Sequence, residues 1–221
     1  MINIRLADIK ELKTLNEIIT MSARDLSRDD YSEQEIKSAI QYVFGVDTEL
    51  VNDKTYFVIE KDGEIAGCGG WSKRKTLFGG NQFSGRGETT FLDPSKDAAK
   101  IRAFFIHPKF ARQGLGSILL THCEQEAMKN GFTQLEMMAT LPGVKLYKTL
   151  SYKSVSDEVV MLPNKVPLKF VRMRKNLKEL TFVNVSEKYK TSSIVPFGVF
   201  QNNKVASNQN EVFKPAIKSK L

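Results

Sequence analysis

The most constraining feature of this 221-residue chain is a segment that runs from an apolar strand through a basic turn into a helix. The stretch from Lys100 to Ile106 has the composition of a buried strand, and Pro108 ends it. Gly114 and Gly116 stand where the helix begins. The apolar stripe of that helix consists of Leu115, Ile118, Leu119, Cys123 and Ala127. The segment predicts a strand–turn–helix unit.

The turn of this unit has the properties of an anion site. Backbone N–H groups in the first turn of a helix have no intrahelical acceptor, and the helix dipole adds positive potential there. Arg112 adds a guanidinium, and the two glycines let the backbone approach an anion without an intervening Cβ. We therefore expect a phosphate or pyrophosphate at the turn. The spacing excludes both G-x-G-x-x-G and the P-loop motif.

Residues 112–117 resemble the acetyl-CoA pyrophosphate loop of the GNAT superfamily of N-acetyltransferases, with its signature [Gln/Arg]-x-x-Gly-x-[Gly/Ala]. Ala111 stands in the first position of that signature, and Arg112 is adjacent. Residues 141–152 resemble the family's later motif, in which a tyrosine-bearing helix leads into a Gly-Phe pair. Ser151 here replaces the glycine. The resemblance covers roughly residues 1–175.

The pattern of elements predicts an α+β fold, because an antiparallel first half is followed by a β-α-β unit. The resemblance implies a GNAT-like mixed, mostly antiparallel sheet flanked by helices. It also implies that the fourth and fifth strands splay apart and leave a cleft for the pantetheine arm. We expect helices capped by Asp8 and Ser32, and a hairpin at Asp62-Gly63.

The resemblance also implies acetyl-CoA as co-substrate and assigns its contacts. The implied cofactor-binding residues are Phe104, Phe105, Ile106, Arg112, Gln113, Gly114, Leu115, Gly116 and Ser117. Backbone N–H groups near the end of the strand would polarise the thioester carbonyl. Tyr147, at the family's tyrosine position, is the candidate catalytic acid that protonates the leaving thiolate.

The base that deprotonates the amine is not assigned from the sequence. Glu136 lies on the strand beside the predicted cleft, but strand alternation leaves its direction open. Glu88, Asp93 and Asp97 lie in a long loop where they can bind a cationic acceptor. His107 is expected to hold the end of the strand rather than to accept a proton. A water relay is a further alternative.

Composition excludes several further classes of protein. Two cysteines and two histidines favour neither a disulfide framework nor a metal site, so no metal is expected. Cys68 and Cys123 stand in apolar patterns, which argues against a covalent acetyl-enzyme. No signal peptide or membrane span is recognised, so we expect a cytoplasmic protein without a membrane partner.

Two segments fall outside the regular pattern. The loop from Lys73 to Ala99 is long enough to be either a functional element or a solvated excursion. We divide the chain into an N-acetyltransferase domain, residues 1–180, and a basic C-terminal extension, residues 181–221. The extension carries half of the net charge of +8. Its apolar residues 191–200 are expected to dock on the core or on a second subunit, which leaves a homodimer open.

These patterns together predict an enzyme that moves an acetyl group from acetyl-CoA to a primary amine by direct transfer in a ternary complex. The acceptor is a small molecule or a peptide, which the sequence does not identify further. One alternative is a non-catalytic acyl-CoA-binding module, which amine turnover would exclude. Another is a nucleic-acid-binding protein that uses the basic extension, although the spread of its lysines does not favour nucleic acid.

Overall fold

The computed structural model describes residues 1–87 and 89–177. Within these residues seven strands form one sheet in the order β1-β2-β3-β4-β5-β7-β6. The strands are β1 (Ile2–Leu6), β2 (Tyr56–Lys61), β3 (Glu64–Ser72), β4 (Ala99–Ile106), β5 (Gln134–Thr140), β6 (Lys153–Met161) and β7 (Pro167–Asn176). All neighbouring pairs are antiparallel except β4 and β5. The expected α+β fold with a mixed, mostly antiparallel sheet is confirmed.

Five α-helices flank this sheet in the described part of the chain. They are α1 (Leu12–Leu26), α2 (Glu33–Tyr42), α3 (Thr48–Asn52), α4 (Leu115–Lys129) and α5 (Val144–Thr149). Both expected capping boxes are present: Asp8 caps a short 3₁₀ turn that leads into α1, and Ser32 caps α2. The short helix α3 was not predicted, because five residues with one buried side chain, Leu50, show no helical periodicity.

The helices cover opposite faces of the sheet. Helices α1, α2 and α3 pack on one face, with core side chains such as Leu15, Ile36 and Leu50. Helices α4 and α5 pack on the other face, where Leu119 and Tyr147 belong to the largest apolar cluster. We call these the α1 face and the α4 face, respectively. Strand alternation divides the side chains of β4, β5 and β7 between the two faces.

The fourth and fifth strands separate shortly after they begin. Their parallel pairing is limited to Ala99 with Leu135 and Lys100 with Glu136. By contrast, β5 pairs with β7 along its whole length. From Ile101 onward, β4 therefore diverges from β5 and opens the sheet. The expected splay between the fourth and fifth strands is confirmed.

The long loop after β3 is attached to the body of the protein. Arg74 forms a two-pronged ion pair with Asp53, with N–O distances of 2.7 and 2.9 Å, and its guanidinium lies over the ring of Phe91. The backbone of Arg74 also forms a β-bridge with Phe91. Farther along, Arg86 reaches both carboxylate oxygens of Asp47 at 2.9 Å. These contacts anchor the described part of the loop, and whether the loop is a functional element stays a prediction.

Some expectations concern residues outside the described part. Docking of residues 191–200, the homodimer that depends on it, and the boundary at residue 181 stay predictions. The same holds for Glu88 as a candidate contact of the acceptor.

Candidate active site

The turn before α4 presents an open helix N-terminus. Gly114 occupies the N-cap position with φ +80°, a conformation that side chains with a Cβ rarely adopt. No side chain caps the helix, and the first helical bond runs from the N–H of Ile118 to the carbonyl of Gly114. The N–H groups of residues 115–117 precede that bond. Leu115 is buried, and its side chain packs in the apolar core rather than at the turn. These features suit an anion.

Side chains around this turn have different tasks. Arg112 is exposed and adopts a left-handed backbone with φ +61°. The amide of Gln113 accepts a hydrogen bond from the ammonium of Lys61 and donates one to the carbonyl of Lys109. These two bonds hold the turn to its neighbours, whereas the guanidinium of Arg112 is exposed to an incoming anion.

The second glycine of the motif serves helix packing. A Cβ at Gly116 would lie 3.0 Å from a methyl group of Leu146 and 3.7 Å from the side chain of Ile106. The start of α4, the end of β4 and helix α5 therefore meet at Gly116. Next to this junction, Ser151 takes φ +68°, the left-handed conformation that glycine favours. The replacement of glycine by Ser151 thus keeps a glycine-like backbone in the turn.

The end of β4 carries a bulge beside the splay. Cys68 of β3 pairs with Phe105, but Gly70 pairs with Arg102, so β4 has an extra residue in this interval. Ala103 in the bulge has φ +48°, which is strained for a residue with a Cβ. Since the N–H of His107 points to the carbonyl of Ala66 on β3, alternation directs the N–H of Ile106 toward the cleft.

A cavity occupies the splay and reaches both faces of the sheet. It encloses about 520 Å³ including its open mouth. Its lining residues come from the α2–α3 connection, the loop after β3, strands β4, β5 and β7, and helix α5. They are Val43, Phe44, Gly45, Phe78, Gly79, Gly80, Ile101, Arg102, Ala103, Phe104, Phe105, Met137, Met138, Thr140, Tyr147 and Phe170. Phe104 and Phe105, both expected at the site, lie on opposite faces because successive strand side chains alternate.

Tyr147 lines this cavity from the α4 face. Its ring contacts Phe104 edge-on, with the centroids 6.5 Å apart, and the ring of Tyr152 at 6.0 Å. A Cβ at Gly143 would lie 2.8 Å from the Tyr147 ring, so the missing side chain makes room for the phenol. Burial raises the pKa of Tyr147, which keeps the hydroxyl protonated at neutral pH.

Glu136 lies in an ion-pair cluster rather than in the cleft. It is 1% exposed, and its carboxylate accepts hydrogen bonds from Lys100 and Arg172 at 2.6 Å and from Arg174 at 2.8 Å. Burial raises its pKa, but the three cationic donors outweigh this and lower the pKa of Glu136 to about 2. Such a carboxylate is a poor proton acceptor at neutral pH.

The remaining described candidates for a base have structural contacts. His107 accepts a hydrogen bond from the N–H of Lys109 at 3.0 Å and thereby caps the turn after β4. Asp93 and Asp97 organise their own turn, where Asp97 accepts from the N–H of Asp93 at 2.8 Å. That turn lies just before β4 begins, near Gly131, and therefore at the opposite end of β4 from the cavity. Among the described residues, none of the named candidates is suited to be a base.

Sequence reasoning missed a buried charge cluster and much of the cavity wall. Arg102 lies 2.7 Å from Asp47, which is fully buried, and donates to the carbonyl of Gly79 at 2.6 Å. Burial lowers the pKa of Arg102, although the charge of Asp47 opposes this. Phe78 and Phe170, in contact at 5.3 Å between centroids, lie far apart in sequence. The Phe78-Gly79-Gly80 run is the one local signal that marks this wall.

Other features of the described residues bear on chemistry. Cys68 and Cys123 are fully buried, and burial raises the pKa of Cys68 to about 12. In the part of the chain that the structure describes, no three His, Cys, Asp or Glu side chains form a group that can hold a metal ion. No helix in the same part has the length and apolar character needed to cross a membrane.

Comparison with known proteins connects this geometry to a family. Residues 19–152 match the model of the Acetyltransferase (GNAT) family. No curated protein matches the chain. A GCN5-related N-acetyltransferase structure from Rhodopseudomonas palustris aligns with a TM-score of 0.58 at 17% identity, over 79% of this chain and 95% of that one.

Two other similar structures were solved with ligands. The yncA protein of Salmonella typhimurium, with its cofactor acetyl-CoA, aligns with a TM-score of 0.55 at 17% identity, over 80% of this chain and 94% of that one. The PaiA N-acetyltransferase of Thermoplasma acidophilum, in complex with coenzyme A, aligns with a TM-score of 0.51 at 16% identity. The alignment covers 80% of this chain and 99% of that one. At these identities the likeness shows the fold alone, while the family match spans more than half of the chain. The chain therefore belongs to the GNAT family of acetyltransferases and is an acyltransferase.

Proposed function

We propose that this acyltransferase moves the acetyl group of acetyl-CoA to a primary amine, directly and within a ternary complex. The observation that carries the proposal is the meeting of three elements at Gly116: an uncapped helix N-terminus, the bulged end of β4 and the helix that bears Tyr147. The first element suits a pyrophosphate, and the second suits a thioester carbonyl. The third element supplies a protonated phenol.

In this proposal the cofactor-binding residues act mainly through their backbones. The N–H groups of Leu115, Gly116 and Ser117 hold the pyrophosphate, with Arg112 and Gln113 at the rim of the turn. When bound, acetyl-CoA supplies an activated acyl group. Backbone N–H groups near the end of β4, that of Ile106 among them, stabilise the negative charge that develops on the carbonyl oxygen. No metal is required for these tasks.

The transfer balances without a covalent enzyme intermediate. The amine nitrogen forms a C–N bond to the carbonyl carbon, and the C–S bond breaks with its electron pair on sulfur. Tyr147 donates its proton to that sulfur and regains the proton that the nitrogen loses. The complete burial and raised pKa of Cys68 and Cys123 argue against an acetyl-cysteine route.

A raised phenol pKa does not by itself prevent the proton transfer. Desolvation raises the pKa of buried thiols as well, as at Cys123. A thiolate released into the same cavity is therefore a stronger base than a thiolate in water. Burial therefore raises the pKa of the phenol and the pKa of the CoA thiol together.

The test is amine-dependent release of free CoA, with the acetylated product identified by mass spectrometry. Acetylation of at least one primary amine at a rate above the uncatalysed reaction is the expected result. Binding of CoA without turnover of any amine, including polyamines, amino acids and lysine peptides, would instead support the non-catalytic acyl-CoA-binding module. The cytoplasmic location expected from the sequence stays a prediction, and fractionation of cells that produce the protein tests it.

A further inference from the structure

The cavity divides into two halves with different elements around them. Phe104, Met137 and Tyr147 belong to the apolar cluster with α4. Because the uncapped N-terminus of α4 lies on this side, acetyl-CoA must enter the cavity from the α4 face, which is therefore the donor face. The amine must then approach from the α1 face, the acceptor face, where α1, α2 and α3 pack. This step rests on the proposed function.

The acceptor half of the cavity has an apolar and largely aromatic wall. Its side chains are those of Val43, Phe44, Phe78, Phe105, Met138 and Phe170. The rings are in mutual contact, with Phe44 and Phe105 5.5 Å apart and Phe78 and Phe170 5.3 Å apart. The remaining wall on this side includes the side chains of Thr140 and Arg102 and the backbone of Gly45, Gly79 and Gly80. A guest on this side therefore meets carbon atoms over most of its surface.

Charge in this half is already compensated. Arg102 is the one charged side chain among the described residues that line the cavity. It lies 2.7 Å from Asp47, which Arg86 contacts on both oxygens, and Arg86 also reaches Glu49 at 2.5 Å. Two guanidinium groups thus face two carboxylates, so their charges cancel, although Nε and Nη1 of Arg102 donate no hydrogen bond. A second ammonium group on the acceptor would find no free carboxylate in this cluster, and a carboxylate would meet the charge of Asp47 beside Arg102.

We propose that the acceptor is a monoamine whose amino group is carried by an apolar aromatic or aliphatic body, with neither a second ammonium group nor a carboxylate close to it. The aromatic wall binds that body, and backbone carbonyls of the splayed strand accept hydrogen bonds from the nitrogen. An apolar wall also disfavours the ammonium form and favours the neutral amine, which is the nucleophile. This lessens the need for a dedicated base, for which the described residues offer no suitable candidate.

Matched pairs of amines test the proposal in the wild-type protein. Pentylamine and cadaverine differ by a terminal ammonium group, and 2-phenylethylamine and phenylalanine differ by a carboxylate. The first member of each pair is expected to show the higher kcat/KM in CoA release, by about tenfold or more, because a buried unpaired charge is costly. Equal or better turnover of cadaverine, phenylalanine or a lysine peptide would overturn the proposal and leave the acetyltransferase function intact.

A second measurement tests the proposed class of acceptor separately from the proposed acetyltransferase function. If CoA binds but no amine is acetylated, the same pairs are titrated calorimetrically into the CoA-saturated protein. Tighter binding of pentylamine and 2-phenylethylamine then supports the apolar acceptor half even though the proposed function fails. Equal affinities within each pair, or no binding of any of the four amines, would overturn the proposal of an apolar acceptor half.

A substitution in the aromatic wall provides an independent test of the proposal. Phe78→Asp places a carboxylate in the acceptor half and is expected to reduce the pentylamine-to-cadaverine preference at least about tenfold, with CoA affinity unchanged. Phe91→Asp is the matched control, because Phe91 lies in the same loop but is 60% exposed and outside the cavity wall. An unchanged preference in a folded Phe78→Asp protein would contradict the proposal. If that variant does not fold, the comparison of matched amines in the wild-type protein still tests the proposal.

Discussion

The hydroxyl of Tyr56 donates a hydrogen bond of 2.9 Å to the carbonyl of Ala103, the residue with φ +48° in the β4 bulge. Tyr56 is fully buried, 47 residues away in sequence, and lies on β2, which is not paired with β4 in the sheet. A strained backbone persists only where its surroundings hold it. This bond therefore supports the bulge at the end of β4, beside the cavity.

Removing this hydroxyl should affect stability and catalysis together. Tyr56→Phe leaves the carbonyl of Ala103 without its donor, which should lower the free energy of unfolding by about 1–3 kcal/mol. A loosened bulge should also lower kcat by about tenfold or more, because it misdirects donors that act on the developing oxyanion. Urea unfolding and CoA-release kinetics measure the two effects.

A control for the Tyr56 prediction is available on the adjacent residue. Thr55→Val removes a buried bond from a hydroxyl to the carbonyl of Leu50, at 3.3 Å and away from the bulge. It should cost stability but leave kcat unchanged. If both variants lower kcat to the same extent, Tyr56 has no specific effect on the bulge.

The pyrophosphate turn is tested at Gly114. Acetyl-CoA at 100 times its Kd should stabilise the wild-type protein by about 2.7 kcal/mol and raise its Tm. Gly114→Val places a branched side chain at φ +80° and blocks the approach of the anion, so the rise in Tm should disappear. Gly63→Val, at φ +85° in the β2–β3 hairpin, introduces comparable strain far from the turn and should keep the rise. Equal CoA affinities of the two variants in calorimetry would contradict the assignment.

Tyr147 is tested by kinetics. Tyr147→Phe should lower kcat by about 10²–10⁴-fold with little change in CoA affinity, the usual range for loss of a general acid. Because burial raises the pKa of Tyr147, the wild-type kcat should not decline up to about pH 10, the ordinary pKa of a phenol. Tyr152→Phe, which alters a buried neighbour outside the cavity wall, serves as the control. A kcat near wild type for Tyr147→Phe would make its role structural.

The cluster around Glu136 predicts how stability depends on pH. The pKa of Glu136 is about 2 in the folded protein and near the ordinary value of about 4.3 in the unfolded chain, so the unfolded state binds the proton first as pH falls. This contribution is complete above about pH 4.3 and is lost as pH falls toward 2. Urea unfolding of the wild type should therefore show falling stability in this window.

Replacement of the carboxylate isolates this effect. Glu136→Gln leaves Lys100, Arg172 and Arg174 without their anion and should cost about 3–5 kcal/mol at neutral pH. The free energy of unfolding of Glu136→Gln should also depend less on pH between about pH 4.3 and 2, because one proton fewer is taken up on unfolding. Glu33→Gln, which removes an exposed ion pair with Lys37, should change stability little. Parallel pH curves for wild type and Glu136→Gln would refute this account.

Local patterns in the sequence were enough to predict the elements that local interactions build. The capping boxes at Asp8 and Ser32 depend on a side chain three residues away, and both are confirmed. The Asp62-Gly63 hairpin needs two positive φ angles, and it has them at +53° and +85°. The strand–turn–helix unit around Gly114 is likewise local. The family, the sheet and its splay were inferred from the motifs that these elements carry.

Only the tertiary structure decided the parts that depend on distant residues. Glu136 is a structural anion because Lys100 and Arg172, each 36 residues away, reach its carboxylate, and strand alternation alone left its direction open. The aromatic wall of the cavity brings together Phe44, Phe78 and Phe170, which share no sequence periodicity. Packing across the splay sets these contacts, and packing energy depends on which surfaces meet in space rather than on spacing along the chain.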